Sequence, residues 1–235
     1  MAEVYNDISG LLLLDKPVGI TSFKVVHGIR KILNVKKTGH CGTLDPAATG
    51  LLLVLVGKAT QLQDKFIKKD KVYTSSFLMG TVTDSGDLEG NVIVKNSIAN
   101  VDLEKIKKAA KMLEGEILQV PPMYSALKYG GKRLYELARQ GIVVERQPRK
   151  ITIKKFEVFS YDEEGIVNVG IVCSSGTYVR VLAQDLGNIL KCGATVQTLR
   201  REKIGIFNVK DALKFEGLGD VAEIMKNLVP VKNLV

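Results

Sequence analysis

Residues 38–50 read TGHCGTLDPAATG and run directly into LLLVLV at residues 51–56. Three glycines, one proline and several small hydroxyl side chains precede an apolar run that is typical of a buried strand. Pro46 disfavours helical angles at the residue before it, which favours an extended backbone at Asp45. The stretch therefore predicts a close-fitting loop, with a carboxylate in it, at the edge of a buried strand.

The pattern alone leaves the role of Asp45 open. Its carboxylate either makes a local turn hydrogen bond ahead of Pro46 or acts with a partner from elsewhere in the chain. A basic candidate stands in CSSGTYVR at residues 173–180, where a strand is predicted to pass into a helix. Arg180 falls in the first helical turn, where the helix dipole opposes a positive charge. Either an acidic partner from elsewhere compensates for this, or Arg180 is an ordinary surface arginine.

The composition of the 235-residue chain is that of a globular protein, with 46% hydrophobic and 25% charged residues. This excludes disordered, collagen-like and disulfide-rich chains. Three widely spaced cysteines predict a reducing compartment, the cytoplasm, with neither a disulfide framework nor a structural zinc site. No apolar run approaches the roughly 18 residues of a membrane span, and the N-terminus is unlike a signal peptide. We expect a cytoplasmic protein without membrane contact or bound metal.

The net charge is unevenly distributed. Thirty-four Lys and Arg against twenty-five Asp and Glu give +9, which favours a polyanionic partner. Residues 121–155 contain nine basic and two acidic side chains, 9 − 2 = +7, whereas residues 211–235 contain three and four, 3 − 4 = −1. Prolines and glycines interrupt residues 120–131. We call residues 121–150 the basic insertion and predict that it contacts the polyanion.

Interleaved strand and helix patterns predict an α+β fold with a mixed sheet. Apolar, alternating or β-branched runs predict strands at residues 11–14, 51–56, 72–78, 151–159 and 166–172. Helices are expected after Asp102, over residues 178–190, and after a cap at Thr21 or Ser22 with an apolar face of Phe23, Val26, Ile29, Ile32 and Leu33. No βαβ rhythm, repeat or linker is evident, so we expect a single domain over residues 1–235.

Other motifs fit their chemistry less well. The stretch GLLLVLVGK at residues 50–58 lacks the glycine spacing of a P-loop. The motif TDSGDLEG at residues 83–90 is too short for an EF-hand and predicts a hairpin turn. His40 has no second pair of metal ligands, which argues against a zinc deaminase. No serine stands in a G-x-S-x-G elbow, which argues against a serine hydrolase.

Six ordered motifs resemble the bacterial tRNA pseudouridine-55 synthases of the TruB type. GHCGTLDPAATGLLLVLVGKAT at residues 39–60 resembles their catalytic motif, and the others are LLLLDKPVGITS, KVYTSSFLMGTVTDSGDLEG, VPPMYSALKYGGKRLYELAR, CSSGTYVRVLAQDLG and LRREKIGIF. Cys41 stands where the family more often has Thr. The resemblance implies a pseudouridine synthase fold, with a mostly antiparallel sheet flanked by helices, and we expect no C-terminal PUA domain.

The resemblance also implies roles for individual residues. Asp45 matches the catalytic carboxylate, Arg180 its ion-pairing partner, and Tyr73 the tyrosine that lies against the target base. The residues that match substrate-binding positions are Lys16, His40, Tyr178 and Leu199 and, in the basic insertion, Lys128, Lys132 and Arg133. Lys16 and Pro17 together match a structural loop beside the site. The insertion itself matches a mobile clamp that closes over RNA.

The implied reaction breaks the N-glycosidic bond of uridine and rejoins the uracil to C1′ through C5, without a cofactor. Asp45 either attacks C1′ or assists a proton transfer from the ribose, and the sequence leaves this choice open. The implied substrate is the T-loop uridine at position 55 of tRNA, bound by a monomer. This uridine must flip out of its stack at a cost of a few kcal/mol, and stacking on Tyr73 and His40 recovers ~1–3 kcal/mol per base.

Two alternatives remain open from the sequence. One is an RNA-binding or tRNA-folding protein, for which the basic insertion would suffice. The other is a pseudouridine synthase that acts on a different RNA. The presence of Asp45, Tyr73 and Arg180 together favours an enzyme over a binding protein, since binding alone has no need of a carboxylate in a tight loop.

Overall fold

The computed structural model describes residues 8–234. Its strands are β1 (Gly10–Lys16), β2 (Thr38–His40), β3 (Thr49–Val56), β4 (Lys71–Met79), β5 (Thr81–Thr83), β6 (Val92–Lys95), β7 (Gly115–Gln119), β8 (Lys128–Tyr129), β9 (Lys132–Arg133), β10 (Arg149–Tyr161), β11 (Ile166–Cys173), β12 (Ala194–Ile204), β13 (Phe207–Asn208), β14 (Leu213–Lys214) and β15 (Val229–Pro230). Its α-helices are α1 (Ser22–Ile32), α2 (Gln63–Ile67), α3 (Leu103–Met112), α4 (Leu134–Ala138), α5 (Val179–Ile189) and α6 (Val221–Lys226).

The chain forms two compact units, and the boundaries between them fall inside β4 and β12. Unit one takes in the described residues up to Val72 and those from Arg200 onward, and unit two is Tyr73–Leu199. The expected catalytic domain over residues 1–235 includes both units and stays a prediction. No helix in the described part of the chain is long and apolar enough to cross a membrane.

Unit one is built on β1 and β3, which pair in antiparallel register from Gly10↔Val56 to Lys16↔Gly50. Both strands are continuous apolar runs because both faces of this sheet are covered. Even-numbered residues of β3, such as Leu52 and Val54, pack with α1 and α6. Odd-numbered residues, such as Leu51 and Leu53, pack with Phe66 of α2 and with residues of the C-terminal segment. Because both faces of the β1–β3 pair are buried, these strands are a firm base for the loops at their ends.

Unit two is organised around β10, which pairs in antiparallel fashion with β11 on one side and with β7 on the other. Its sheet continues in the order β7-β10-β11-β4. Helices α3 and α5 bury their apolar faces against this sheet in one cluster that includes Phe77 and Phe156, whose rings meet edge to face. The β5–β6 hairpin encloses residues 84–91, which confirms the turn predicted there.

These elements confirm the α+β prediction, with a mixed and mostly antiparallel sheet, and each predicted strand and helix is present. The helix after Thr21 begins at Ser22, with Thr21 as its N-cap. Its expected apolar face was wrong at one residue, because Phe23 is 72% exposed. The buried stripe of α1 contains Ser22 instead, and Phe23 lies ~100° further around the helix.

Candidate active site

Asp45 lies in a short loop between β2 and β3, residues 41–48, which we call the Asp45 loop. The carboxylate-bearing residue is partly exposed, whereas Leu44 before it is buried. The Ala48 amide donates to the Asp45 carbonyl oxygen at 3.1 Å and closes a turn. Asp45 and Pro46 therefore lie in a tight turn of this loop.

Lys16 fixes the Asp45 loop from the end of β1. Its side chain is fully buried, and Nζ donates to the carbonyl oxygens of Pro17 at 2.8 Å, Ile20 at 2.9 Å and Pro46 at 3.2 Å. The Gly19 amide donates to the same Pro46 oxygen at 2.9 Å. A buried ammonium is stable only when its donors are satisfied. Lys16 therefore holds the Asp45 loop to the chain after β1 by binding three backbone carbonyls.

Arg201 fixes the same loop from the opposite end of the sequence. This side chain is 1% exposed. Its Nε donates to the Leu51 carbonyl at 2.8 Å, and its guanidinium nitrogens donate to the carbonyls of Gly42 at 3.0 Å and Thr43 at 3.4 Å. One planar group thus binds backbone on both sides of Asp45. No sequence pattern marks Arg201 for this role, since it is only the second arginine of LRREKIGIF.

Ser22 holds the Asp45 loop against the first turn of α1. The Ser22 hydroxyl donates to the Leu44 carbonyl at 3.0 Å and accepts from the Leu44 amide at 2.9 Å. Both residues are buried. The sequence suggested Ser22 only as a possible helix cap, a role that Thr21 performs by accepting from the Lys24 amide at 3.1 Å.

Cys41 begins the Asp45 loop and is fully buried. Burial raises the pKa of its thiol from 9.0 to about 12, against the lowering effect of the charges on Lys71 and Arg201. The thiol is therefore protonated at neutral pH and is a poor nucleophile. Its amide donates to the Leu53 carbonyl at 3.0 Å, so Cys41 anchors the loop to β3.

Arg200 and Asp15 form a bidentate ion pair beside the Asp45 loop within unit one. Arg200 Nη1 donates to Asp15 Oδ1 at 3.0 Å and Nη2 donates to Oδ2 at 2.7 Å. This hydrogen bonding is the main cause that raises the pKa of Arg200. The pair joins the end of β1 to β12, and parallel pairing of Arg200 with Thr49 joins β12 to β3.

His40 lies at the end of β2, directly before the loop, and is partly exposed. Its backbone carbonyl accepts from Gln63 Nε2 at 2.9 Å. The structure thus places three of the predicted site residues, Lys16, His40 and Asp45, in unit one, and brings Lys16 into contact with the residue that follows Asp45.

Arg180 lies in unit two and is 5% exposed, so it is not an ordinary surface arginine. Its guanidinium donates to the carbonyls of Ser85 and Tyr124, each at 2.7 Å. Asp87 Oδ2 lies 3.6 Å from Arg180 Nε. Asp87 therefore supplies negative charge to this first-turn arginine. The motif TDSGDLEG predicted only a turn and gave no sign of this role for Asp87.

Tyr73, Tyr178 and Leu199 also lie in unit two. Tyr73 is 8% exposed and belongs to the main apolar cluster, against which Leu199 packs. The backbone of Tyr178 is held by Gln119, whose side chain accepts from the Tyr178 amide at 2.8 Å and donates to its carbonyl at 3.2 Å. Gln119 was also missed, since a lone glutamine at a strand end gives no pattern.

The basic insertion contains the β8–β9 hairpin, whose four strand residues are exposed, and α4, which buries Leu134 and Leu137. Lys128 lies opposite Arg133 across this hairpin, and both are exposed, as is Lys132. Arg133 and Arg139 lie 5.9 Å and 5.6 Å from the ring centroid of Tyr135. Such contacts hold guanidinium groups beside a ring without neutralising them, so the positive charge stays available at the surface.

Acidic, histidine and cysteine side chains do not gather into any group of three that could hold a metal ion within residues 8–234. The chemistry that these residues offer is that of a carboxylate on a rigid loop in unit one, and of a buried guanidinium, a tyrosine and a basic surface in unit two.

Residues 30–179 match the TruB family pseudouridylate synthase (N terminal domain), and residues 180–234 match the tRNA pseudouridylate synthase B C-terminal domain. The tRNA pseudouridine synthase B of Endomicrobium trichonymphae is 70% identical over 231 residues, which are 98% of this chain and 100% of that protein.

Two solved structures have similar folds. A protein chain in a Cbf5-Nop10-Gar1 complex superposes with a TM-score of 0.71 at 32% identity, over 92% of this chain and 55% of its own length. A chain in an H/ACA RNP bound to a substrate RNA containing 2′-deoxyuridine also gives 0.71, at 26% identity, over 96% and 60%. The present chain thus spans somewhat more than half the length of each of these proteins.

Proposed function

Because the chain belongs to the TruB family of pseudouridylate synthases, which isomerise uridine to pseudouridine, we propose that it modifies the T-loop uridine at position 55 of tRNA. The similarity to a tRNA pseudouridine synthase B over its whole length supports tRNA as the substrate.

The observation that carries this proposal is the construction of the Asp45 loop. Its backbone is fixed by three buried polar side chains from three different elements, Lys16 of β1, Ser22 of α1 and Arg201 of β12. A loop that only connected two strands would not require this number of buried donors. Rigid support of one partly exposed carboxylate is what a reacting group needs, since small misplacements cost large factors in rate.

In the proposed reaction the bond between uracil N1 and ribose C1′ breaks and a bond from C5 to C1′ forms. The C5 proton leaves and N1 gains a proton, so the product is an isomer and no oxidant, reductant or water is consumed. Asp45 either attacks C1′ or removes a ribose proton. Arg180 supplies positive charge to the reaction, and Tyr73 lies against the base.

Flipping of the target uridine is required because a stacked base cannot reach Asp45, and it costs a few kcal/mol. His40 fills the space left in the stack, while Tyr178 and Leu199 line the base pocket. The basic insertion orders on tRNA phosphates through Lys128, Lys132 and Arg133, which are exposed and lie on or beside the β8–β9 hairpin.

The proposal extends to the recognised part of the tRNA, the oligomeric state and the cellular location. We take the T-arm stem-loop as the recognised element, a monomer as the active form, and the cytoplasm as the location. No metal or other cofactor takes part in the proposed steps. Residues 1–235 act as one catalytic domain.

Release of tritium from tRNA labelled at uracil C5 tests the reaction directly. The chain should release tritium from uridine 55, and Asp45→Asn should abolish release while its affinity for tRNA stays within a few fold. Release by Asp45→Asn at the normal rate would exclude Asp45 from the chemistry. Binding of tRNA by the unaltered chain without any release would favour the RNA-binding alternative.

The salt dependence of binding tests the basic insertion. Replacement of Lys128, Lys132 and Arg133 by Gln should weaken tRNA binding and reduce the salt slope by about 2–3, since each lost phosphate contact removes ~0.7–0.9 from it. The matched control replaces Lys105, Lys107 and Lys111, which α3 engages in ion pairs with Asp102, Glu104 and Glu114. Equal slopes in the two triple variants would contradict the clamp.

A further inference from the structure

The outer face of α1 carries an exposed aromatic side chain among basic ones. Phe23 is 72% exposed, and its ring stacks on that of His27 with centroids 6.1 Å apart and planes 26° apart. Lys24, Arg30 and Lys31 are exposed on the same outward half of the helix. We call Phe23, Lys24, His27, Arg30 and Lys31 the α1 surface.

Negative charge is missing from this part of the sequence. Residues 16–44 contain six Lys and Arg and no Asp or Glu. Lys24, Arg30 and Lys31 make no ion pair with any described residue. On α3, by contrast, Lys105 and Lys107 pair with carboxylates at 3.1 Å and 3.0 Å. The positive charge of the α1 surface is therefore open to an anionic partner.

The α1 surface begins beside the Asp45 loop. Ser22 makes two hydrogen bonds with Leu44. Phe23 directly follows Ser22 in the sequence, and Asp45 directly follows Leu44. Both sets of residues belong to unit one. A nucleic acid strand that reached Asp45 would therefore pass near the first turn of α1.

We propose that the α1 surface is a second RNA-binding surface, on which Phe23 stacks with an unpaired base while Lys24, Arg30 and Lys31 bind phosphates of the same strand. This inference rests on the proposed function and adds to it a contact outside the basic insertion. An exposed ring suits this task because every base has a face on which an aromatic side chain stacks.

The dimensions match a short stretch of nucleic acid. From Phe23 to Lys31 the helix rises ~12 Å, at 1.5 Å per residue. One strand of a duplex carries one phosphate per ~3.4 Å of axis, so three cations over this length correspond to about three phosphates. A second copy of this chain is the other occupant for an exposed Phe, but pairing two such surfaces would bring their positive charges together.

The stacking is tested by Phe23→Ala and Phe23→Tyr in the tritium-release assay. Phe23→Ala should raise KM for tRNA by ~5- to 100-fold with kcat within about twofold of the unaltered chain, since it removes binding shared by ground state and transition state. Phe23→Tyr keeps a ring and should restore KM. The control is Phe159→Ala, which removes another exposed ring, on β10 of unit two, 56% exposed.

The charges are tested by replacing Lys24, Arg30 and Lys31 together with Gln. The salt slope of tRNA binding should fall by about 2–3, whereas the α3 control with Lys105, Lys107 and Lys111 replaced loses the same charge and should keep its slope. Sedimentation of Phe23→Ala beside the unaltered chain detects self-association.

Equal KM values for Phe23→Ala and Phe159→Ala would overturn the stacking, and equal slopes for the two triple variants would overturn the phosphate contacts. Loss of a dimer in Phe23→Ala with unchanged tRNA affinity would assign the surface to self-association instead. Each of these outcomes leaves tritium release by the unaltered chain intact, whereas failure of the proposed function removes that release itself.

Discussion

Arg201 Nη2 donates to the carbonyl oxygen of Gly42 at 3.0 Å, across 159 residues of sequence. This hydrogen bond ties strand β12 to the start of the Asp45 loop, and the same guanidinium also binds Thr43 and Leu51. The geometry around Asp45 is thus decided by a residue that is remote in sequence and buried in the fold.

Removal of this guanidinium should destabilise the protein and slow the reaction. In Arg201→Met three backbone carbonyls lose this donor, of which the one at Leu51 is in a buried hydrogen bond and the other two are in partly buried ones. A buried group without a partner costs ~1–3 kcal/mol, so the free energy of unfolding should fall by about that amount. Arg201→Lys keeps the charge but not the planar set of donors, and should give an intermediate loss of unfolding free energy. Urea unfolding and tritium release measure both effects. A loss below ~0.5 kcal/mol for Arg201→Met would contradict this account.

Ser22→Ala should slow the reaction more than Thr21→Ala does. The variant leaves the Leu44 amide and carbonyl without partners, which should cost ~1–3 kcal/mol and loosen the Asp45 loop. Thr21→Ala removes the helix cap instead, at ~1 kcal/mol, and does not touch the loop. Urea unfolding will report a loss in both, while kcat should fall only in Ser22→Ala. A similar kcat in the two variants would show that Ser22 acts through helix stability alone.

Gly50→Ala should be far more damaging than Gly19→Ala. Both glycines have positive φ, +101° and +84°, so each alanine is strained by ~1–2 kcal/mol. A Cβ on Gly50 would lie 2.3 Å from the Arg201 backbone oxygen, whereas one on Gly19 meets nothing within 4 Å. We expect Gly50→Ala to lose at least ~1 kcal/mol more stability than Gly19→Ala in thermal unfolding. Equal losses would refute the close approach of β12 at Gly50.

The buried Cys41 thiol should make stability fall at alkaline pH. Its pKa is raised to about 12 in the folded chain, above the ordinary value of 9.0, so the unfolded chain loses this proton first as pH rises. The contribution is complete below pH 9 and is lost between pH 9 and 12, at up to ~1.4 kcal/mol per pH unit. Unfolding of Cys41→Ala should therefore depend less steeply on pH above 9. Parallel profiles for the two proteins would argue against the raised pKa.

Asp87→Asn should impair turnover through Arg180. The substitution removes the charge that lies 3.6 Å from Arg180 Nε while keeping the size of the side chain, and loss of a buried charged partner should cost ~1–3 kcal/mol. We expect kcat to fall while KM for tRNA changes little. Asp84→Asn is the control in the same hairpin, because the Asp84 carboxylate accepts from the Asn91 amide at 2.9 Å and from Asn91 Nδ2 at 3.1 Å. A rise in KM alone would instead indicate that Arg180 binds phosphate.

The amino-acid sequence by itself determined the elements of the fold and the residues at which to look for chemistry. The unbroken apolar run of β3 predicted a buried strand, and a cap at Thr21 or Ser22 and the turn before β6 were predicted from local chemistry. Asp45, Tyr73 and Arg180 were found because their motifs resemble a family in order and spacing. Local conformational preferences and motifs depend on a few consecutive residues, so a sequence alone reveals them.

Only the tertiary structure decided what holds these residues in place. Arg201, Asp87 and Gln119 act on backbone groups or charges that lie 59 to 159 residues away or in another element, and no local pattern marks such partners. Phe23 was expected inside and lies outside, because Ser22 takes the buried position to bind Leu44. Buried polar groups must find donors and acceptors wherever folding brings them, and that matching is a property of the folded chain alone.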